Sequence, residues 1–373
     1  MNPTTTSATP SRTARLERLG RFLEMDPGNA LLLRDYAFEA AQAGELDAAI
    51  VALRRLLAQP AYEPGDTRLL GACLRAARRN DEAQAVLADA RMRWPGDEAL
   101  AIEQAKACFA DRDFEAALTA LPPDPQDPML AGEACSLRVQ LLHHLDRLEE
   151  AAELAQTFSA SHPEDPRVPA SFIPVLMDTY RFDEAVTLAR ELLDAGIEAY
   201  PVYEALAAGA LEAGAPAEAS QWTARALKVR RDDGRIWLLE GLARMRGGQP
   251  EEAALALDEA VTLMPDHAGS QLALGWLQLL QKDQARAQAC FEAAVAASPA
   301  FAESHGSLAV LAVLQGRRED ALELIRKAQR LDSTCASAQY AKALLAGADP
   351  AGIARLAETM LSQVRAARRH PSN

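Results

Sequence analysis

Few residues in this sequence have the types and spacing that catalysis or metal binding requires. His143 and His144 are the only adjacent histidines, and neighbouring residues on a helix point about 100° apart, so their rings cannot share one metal. Neither has an acidic residue or a cysteine four positions later. We therefore interpret the pair as polar surface and predict no metal site.

The five cysteines are Cys73, Cys108, Cys135, Cys290 and Cys335, and no two form a Cys-x-x-Cys pair. This spacing argues against a disulfide framework or a zinc ribbon and favours a reducing compartment. The sequence contains no glycine-rich phosphate loop and no nucleophile elbow. We predict no catalytic residue and no cofactor, and so a protein that is not an enzyme.

The charge balance disfavours nucleic acid as a partner. The chain carries 39 basic and 53 acidic side chains, a net charge of −14, and all but five of the basic residues are Arg. Unselective binding to phosphate backbones is therefore unfavourable. Arg pairs such as Arg54-Arg55 and Arg317-Arg318 are interpreted as solvated surface. No apolar run approaches the length of a membrane span, and residues 1–11 lack a signal-peptide pattern, so we expect a cytoplasmic chain.

Composition favours closely packed helices. Hydrophobic residues make up 49% of the chain and aromatic residues only 5%, so the apolar content is mostly Ala and Leu. A β protein would need more β-branched and aromatic side chains to fill its sheet faces. Ala has the highest helix propensity and allows helices to approach one another closely.

Small residues, which would allow such helices to pack closely, recur with a 34-residue period. Nine alanines follow this period without a slip: Ala49, Ala83, Ala117, Ala151, Ala185, Ala219, Ala253, Ala287 and Ala321. Gly44, Gly214, Gly248 and Gly316 keep the same frame at a different phase. In residues 234–267, two apolar stretches with helical spacing are separated by a Gly-Gly-Gln-Pro turn. Each period therefore predicts one helix–turn–helix unit.

These residues resemble the tetratricopeptide repeat family. One unit matches through Trp237, Gly241, Ala253, Leu257, Ala260 and Pro265, and another through Leu274, Gly275, Ala287, Phe291, Ala294 and Pro299. The resemblance implies an all-α, right-handed solenoid of about nine repeats with helical end caps. It also implies a scaffold that binds other proteins, with the first helix of each repeat lining a concave groove.

We predict the following organisation: a disordered tail over 1–11, a capping helix over 12–29, repeats over 30–121, a Pro-rich joint over 122–131, repeats over 132–333, and capping helices over 334–369. Pro122 and Pro123 should end the second helix of the third repeat early. Pro174 should bend the first helix of residues 166–199.

The groove positions change in character along the chain. In the N-terminal repeats they hold a mixed polar set that includes Arg34, Asp35, Phe38, Arg68 and Glu103. From residue 234 onward they become apolar. The predicted partner-binding residues are Leu238, Leu239, Leu242, Met245, Leu272, Trp276, Leu279, Leu280, Val310, Val313, Leu314 and Tyr340. Within this set we expect Trp276 to be the anchor for a partner.

An apolar groove predicts a partner because soluble proteins seldom leave large apolar patches open to water. The partner would be an amphipathic or apolar segment of another protein, as for the small chaperones that shield secreted proteins, which the groove resembles. Two alternatives stay open. The groove could be covered by the chain's own helix at 350–369 or buried in a homodimer, or the chain could regulate a separate enzyme.

Overall fold

The computed structural model describes residues 12–347, and every element in that range is helical. The helices are α1 (Arg12–Met25), α2 (Ala30–Gln42), α3 (Leu46–Leu57), α4 (Pro64–Ala76), α5 (Asn80–Arg93), α6 (Glu98–Ala110), α7 (Phe114–Ala120), α8 (Pro128–His144), α9 (Leu148–Ser161), α10 (Arg167–Asp178), α11 (Phe182–Asp194), α12 (Tyr200–Glu212), α13 (Pro216–Val229), α14 (Gly234–Arg246), α15 (Pro250–Leu263), α16 (Ala268–Leu280), α17 (Gln284–Ala297), α18 (Ala302–Leu314), α19 (Arg318–Leu331) and α20 (Ala336–Leu345).

Each period contributes a first helix and a second helix that pack on each other. The chain divides into two compact units, Met1–Val175 and Leu176–Asn373. In unit 1, α2 packs on α3, α4 on α5, α6 on α7 and α8 on α9, and α1 lies on α2. In unit 2, α12 packs on α13, α14 on α15, α16 on α17 and α18 on α19, while α20 contacts α18 and α19. The all-α helix–turn–helix array is thus confirmed.

The periodic alanines lie at the centre of this packing. All nine, from Ala49 to Ala321, have no solvent-exposed area. Small residues on the first helices complete the close approach: a Cβ atom added to Gly241 would lie 2.5 Å from Leu257 Cγ, and one added to Gly275 would lie 2.5 Å from Phe291 Cε1. The repeat period therefore records a requirement for small side chains where two helices touch.

The turn inside each repeat needs a left-handed residue at one fixed place. Positive φ angles recur in the frame of the repeats at Gly44, Arg78, Arg112, Asp146, Tyr180, Gly214, Gly248, Lys282 and Gly316. Their values range from 58° at Arg78 to 81° at Gly44. Only four of these positions hold Gly, the residue that adopts this region without steric cost. The other five reveal the turn only in the structure.

The Pro-rich joint is held in place by side chains of unit 1. Helix α7 ends at Ala120 after seven residues, before the two prolines. Arg138 donates to the carbonyl oxygen of Pro122 at 2.6 Å. The carboxylate of Glu98 accepts from the backbone N–H of Gln126 at 2.9 Å. The short helix is therefore followed by a tethered connection.

Two further expectations concern the helix ends. Pro174 lies inside α10, and the division between the two units falls one residue later, after Val175. The bend at Pro174 remains a prediction. Helix α20 begins at Ala336, as the frame of the repeats predicts. The amphipathic segment 350–369 lies outside the described residues.

Candidate partner-binding surface

The twelve predicted partner-binding residues lie on four first helices of unit 2: α14, α16, α18 and α20. The structure brings most of them into two clusters. Leu238, Leu239, Leu242 and Met245 pack with the α14–α15 core. Leu272, Trp276, Leu279, Val310, Val313, Leu314 and Tyr340 pack in the cluster built by α16 to α20.

These residues divide by depth into two groups. The buried floor consists of Leu242, Leu272, Trp276, Leu279 and Val310, each at most 8% exposed. The apolar rim consists of Leu238, Leu239, Met245, Leu280, Val313, Leu314 and Tyr340, of which Leu280 is exposed and the other six are partly buried. Leu280 is 37% exposed. A partner that approaches this surface would meet the rim first.

Trp276 differs from its expected placement on the groove surface. Its side chain is 1% exposed, because Phe291 of α17 packs against it with ring centroids 5.6 Å apart and α18 supplies a polar partner. The indole Nε1 donates to Ser307 Oγ at 3.1 Å. The ring thus fills the core between successive repeats. Its role as a partner anchor stays a prediction.

A close approach between α18 and α20 lies next to this tryptophan. Ser307 Oγ is 3.4 Å from Ser337 Oγ. A Cβ atom on Gly306 would lie 2.6 Å from Ser337 Cβ, so only Gly permits this spacing. The carboxylate of Glu303 accepts from the backbone N–H of Ala336 at 2.9 Å and caps α20. Ser307 and Ser337 fall on neighbouring first helices, but the sequence pattern does not indicate that they meet.

A second set of polar contacts fixes the start of three first helices in unit 2, α14, α16 and α18. Trp237 Nε1 donates to the carbonyl oxygen of Arg231 at 2.9 Å. The equivalent residues of the next two repeats make the same contact: Gln271 bonds the carbonyl oxygen of Pro265 at 3.2 Å, and His305 bonds that of Pro299 at 2.9 Å. Different side chains thus satisfy the same carbonyl. Sequence comparison of the repeats could have located this position through Trp237.

One cluster of ionisable groups lies between α12 and α14. Glu204 is 7% exposed and lies 3.7 Å from Arg235. Burial raises the pKa of Glu204, an effect that Asp233 reinforces and that Arg235 opposes without cancelling. Glu204 in turn raises the pKa of Arg235. Beside this pair, the guanidinium of Arg230 lies 4.5 Å from the centre of the Tyr200 ring. The pair is a costly feature of this interior because the carboxyl group is desolvated.

Unit 1 presents a different first-helix surface, with inter-repeat ion pairs in place of leucines. Arg34 Nε donates to Asp66 Oδ1 at 2.6 Å and its Nη2 donates to Oδ2 at 2.7 Å. Arg75 Nη2 lies 3.0 Å from Glu103 Oε1. Lys106 bonds both Glu103 and Glu133. Several polar residues of the N-terminal repeats therefore pair with one another across neighbouring first helices.

The residues considered for catalysis or metal binding occupy structural positions. Cys73, Cys108, Cys135 and Cys335 are buried and Cys290 is partly buried, and all five are free thiols. Burial raises the pKa of each thiol, for Cys135 and Cys335 to about 12, so they stay protonated at neutral pH. His144 stacks on Phe114 with ring centroids 4.6 Å apart. Within residues 12–347 no group of three or more potential ligands is arranged for a metal ion.

Comparison with known protein families identifies the repeat type of one part of the chain, the repeats after residue 237. A tetratricopeptide repeat family model matches residues 238–287 and 272–336. Residues 238–336 therefore match tetratricopeptide repeats, and the helix–turn–helix units before residue 238 keep the same period. A comparison with curated proteins finds no match.

Solved structures to which this chain is similar include a tetratricopeptide repeat protein from Parabacteroides merdae ATCC 43184, with 17% identity and a TM-score of 0.48 over 63% of this chain and 93% of that chain. YrrB, described as a TPR protein with an unusual peptide-binding site, has 21% identity and a TM-score of 0.39 over 51% of this chain and 98% of its own. The hetero-tetramer Cut9–Hcn1 has 12% identity and a TM-score of 0.40 over 94% of this chain and 81% of that chain. No helix among the described residues is long and apolar enough to cross a membrane.

Proposed function

We propose that this chain is a non-enzymatic interaction scaffold whose apolar rim in unit 2 holds an apolar or amphipathic segment of a partner protein. The observation that carries the proposal is the rim itself: leucines, a valine and a methionine that keep part of their surface accessible on the consecutive first helices α14, α16 and α18. Contact between apolar side chains and water is unfavourable, and the free energy falls when another molecule covers them. A helix with an apolar face would contact several of them at once.

A chaperone-like function is one form of this proposal, since a protein that shields an apolar segment keeps its partner soluble. A cytoplasmic location belongs to the same proposal and is supported by five free thiols, which persist in a reducing compartment. A homodimer in which the rims of two copies face each other is a competing occupancy of the same surface.

The test compares matched substitutions on accessible leucines. Leu280→Asp and Leu314→Asp place a charge in the apolar rim, whereas Leu255→Asp places the same charge on a second helix, α15, at a residue that is 70% exposed. Proteins that co-purify with the wild-type chain from its native cells are identified by mass spectrometry. We expect loss of the captured partner with the two rim variants and retention with Leu255→Asp. Equal capture by all three variants would exclude the rim.

Deletion of 348–373 addresses whether the chain covers its own rim. If the deleted variant gains binding of a hydrophobic dye and the gain disappears with Leu280→Asp, the segment covers the rim. Dye binding that is unchanged by the deletion favours an external partner. Sedimentation of the wild-type chain at several concentrations tests the homodimer.

A further inference from the structure

Unit 1 contains an open recess on its first-helix surface, far in sequence from the apolar rim. The recess has a volume of about 540 Å³, and α2 and α4 form most of its wall, with contributions from α1 and α6. Phe38 and Arg68 line it together with Leu69 and Ala72. It therefore combines apolar and charged surface in a space large enough for one or two side chains of a ligand.

Two of the three guanidinium groups in the recess already have partners. Arg15 Nε lies 3.1 Å from Glu39 Oε1. Arg34 makes two hydrogen bonds to Asp66, whose side chain is almost fully buried. The bidentate pair commits Arg34 to a contact inside the protein, and Arg15 is already engaged through its Nε.

Arg68 differs from these two. Its side chain is exposed, and its guanidinium makes no hydrogen bond, ion pair or ring contact with any residue in the described range 12–347. Phe38, on the neighbouring first helix, is 52% exposed and has no aromatic neighbour within that range. Among the described residues, the recess thus presents an uncommitted cation and an uncommitted phenyl ring beside Leu69.

The surrounding charges limit what such a pair can bind. The recess is also lined by Asp35, Glu63 and Glu103, so its carboxylates outnumber its guanidinium groups. A polyanion such as a phosphate backbone is repelled there. A single carboxylate suits the recess better, because a guanidinium such as that of Arg68 can donate two parallel hydrogen bonds to one planar carboxylate. The exposed carboxylate of Asp35 lies one helical turn before Phe38 and disfavours a second acidic group.

We propose that this recess is a second partner-binding site, which takes a protein segment that carries one Asp or Glu side chain next to an apolar side chain. Arg68 binds the carboxylate, and Phe38 with Leu69 packs against the apolar side chain. The scaffold then engages proteins through two chemically different surfaces, a polar one in unit 1 and an apolar one in unit 2. This site stands independently of the function proposed for the apolar rim.

The test uses a displayed library of random dodecapeptides, with amidated C-termini in the synthetic versions so that only side-chain carboxylates remain. Peptides selected on the full-length protein are measured by fluorescence anisotropy against Arg68→Ala and Phe38→Ala. Two exposed residues on second helices supply matched controls, Arg190→Ala on α11 and Met92→Ala on α5.

We expect selection of peptides with one acidic residue beside Leu, Ile or Phe, whose affinity falls about tenfold or more with Arg68→Ala, the loss typical of a charge-assisted hydrogen bond. Phe38→Ala should weaken them as well, while the two controls should not. Arg68→Glu should recover binding when Lys replaces the acidic residue of the peptide. A library that yields no peptide dependent on Arg68 overturns the proposal.

A substitution in the apolar rim tests whether the recess and the rim are separate sites. Leu280→Asp should leave the affinity of the Arg68-dependent peptides unchanged. If Leu280→Asp and Arg68→Ala weaken the same peptide equally, the recess is not a separate site.

Discussion

The indole nitrogen of Trp276 and the hydroxyl of Ser307 join two consecutive first helices by a hydrogen bond of 3.1 Å inside the core of unit 2. Because the indole is 1% exposed, its removal leaves a cavity. We expect Trp276→Ala to lower the free energy of unfolding by about 3–5 kcal/mol. Trp276→Phe fills most of the volume but leaves the Ser307 hydroxyl without this donor, and should cost less.

Thermal melting with hydrogen exchange of the 268–314 segment measures this effect. A repeat array need not unfold in one step, so one melting temperature does not report the stability of every repeat. Hydrogen exchange measures the local stability of the 268–314 segment directly. Leu280→Ala, on the same helix but 37% exposed, is the control and should change the melting temperature little. A Trp276→Ala variant that melts like the wild type and still loses its partner would show that the tryptophan acts at the surface.

The residues with positive φ angles in the turns predict substitutions that stabilise the chain, in contrast to Trp276→Ala. Arg78 and Lys282 adopt φ angles of 58° and 67°, at the periodic place where Gly248 has 71°. A non-glycine residue pays a steric cost in this region. We expect Lys282→Gly and Arg78→Gly each to stabilise the chain by roughly 0.5–1 kcal/mol, and Gly248→Ala to destabilise it by a similar amount.

Chemical denaturation of the three variants checks this prediction. Arg326→Gly supplies the matched control, because it removes an exposed basic side chain from the interior of helix α19 and should destabilise the chain. Stabilisation by Arg326→Gly as well would attribute the gain to lost charge and not to the backbone.

Sequence predicted the packing of the repeats better than the depth of the candidate site. The alanine period identifies the points where helices touch, and all nine of these side chains are buried. The period assigns Trp276 and Leu280 to the same first helix, yet it cannot say that Phe291 and α18 enclose one and leave the other open. Burial depends on neighbouring helices that are distant in sequence.

Polar contacts between repeats were the other feature that sequence could not supply. Arg34 and Asp66 come from different repeats, and nothing in the type of Arg34 distinguishes it from Arg68, which makes no such pair within residues 12–347. Ion pairing depends on side-chain direction within the recess. The mixed polar character of the N-terminal repeats was visible in the sequence, but the uncommitted state of Arg68 was not.

The Arg34–Asp66 pair should make part of the stability of unit 1 dependent on acid pH. Burial alone would raise the pKa of Asp66, but the hydrogen bonds from Arg34 and from the backbone N–H of Glu63 hold it below its ordinary value of 3.8. The pair's stabilisation is therefore present above pH 3.8 and is lost as the pH falls through the lowered pKa. We expect Arg34→Ala to cost roughly 1–3 kcal/mol at pH 7.

Denaturation at pH 7 and at pH 2.5 measures the change. The difference between wild type and Arg34→Ala should shrink at the lower pH, because protonation of Asp66 removes the negative charge that pairs with Arg34. Arg18→Ala, an exposed substitution on α1, is the control and should show a small difference at either pH. A cost of Arg34→Ala that is independent of pH would mean that the side chain acts through packing alone.

The Glu204–Arg235 pair predicts the reverse dependence in unit 2. Burial raises the pKa of Glu204 above its ordinary value of 4.5, so its favourable contribution is complete below pH 4.5 and is lost as the pH rises through the raised pKa. Glu204→Gln keeps the shape of the side chain and removes the cost of burying a charge. We therefore expect the variant to melt at a higher temperature than the wild type at pH 8 and at nearly the same temperature at pH 4.

Scanning calorimetry at the two pH values tests this expectation, with Glu259→Gln on the exposed side of α15 as the control that should match the wild type at both. If Glu204→Gln instead melts at a lower temperature at pH 8, attraction between Arg235 and the ionised carboxylate exceeds the cost of burial. The sign of the difference in melting temperature at pH 8 therefore shows which effect dominates: the cost of burying the carboxylate, or its attraction to Arg235, the nearest cation, at 3.7 Å.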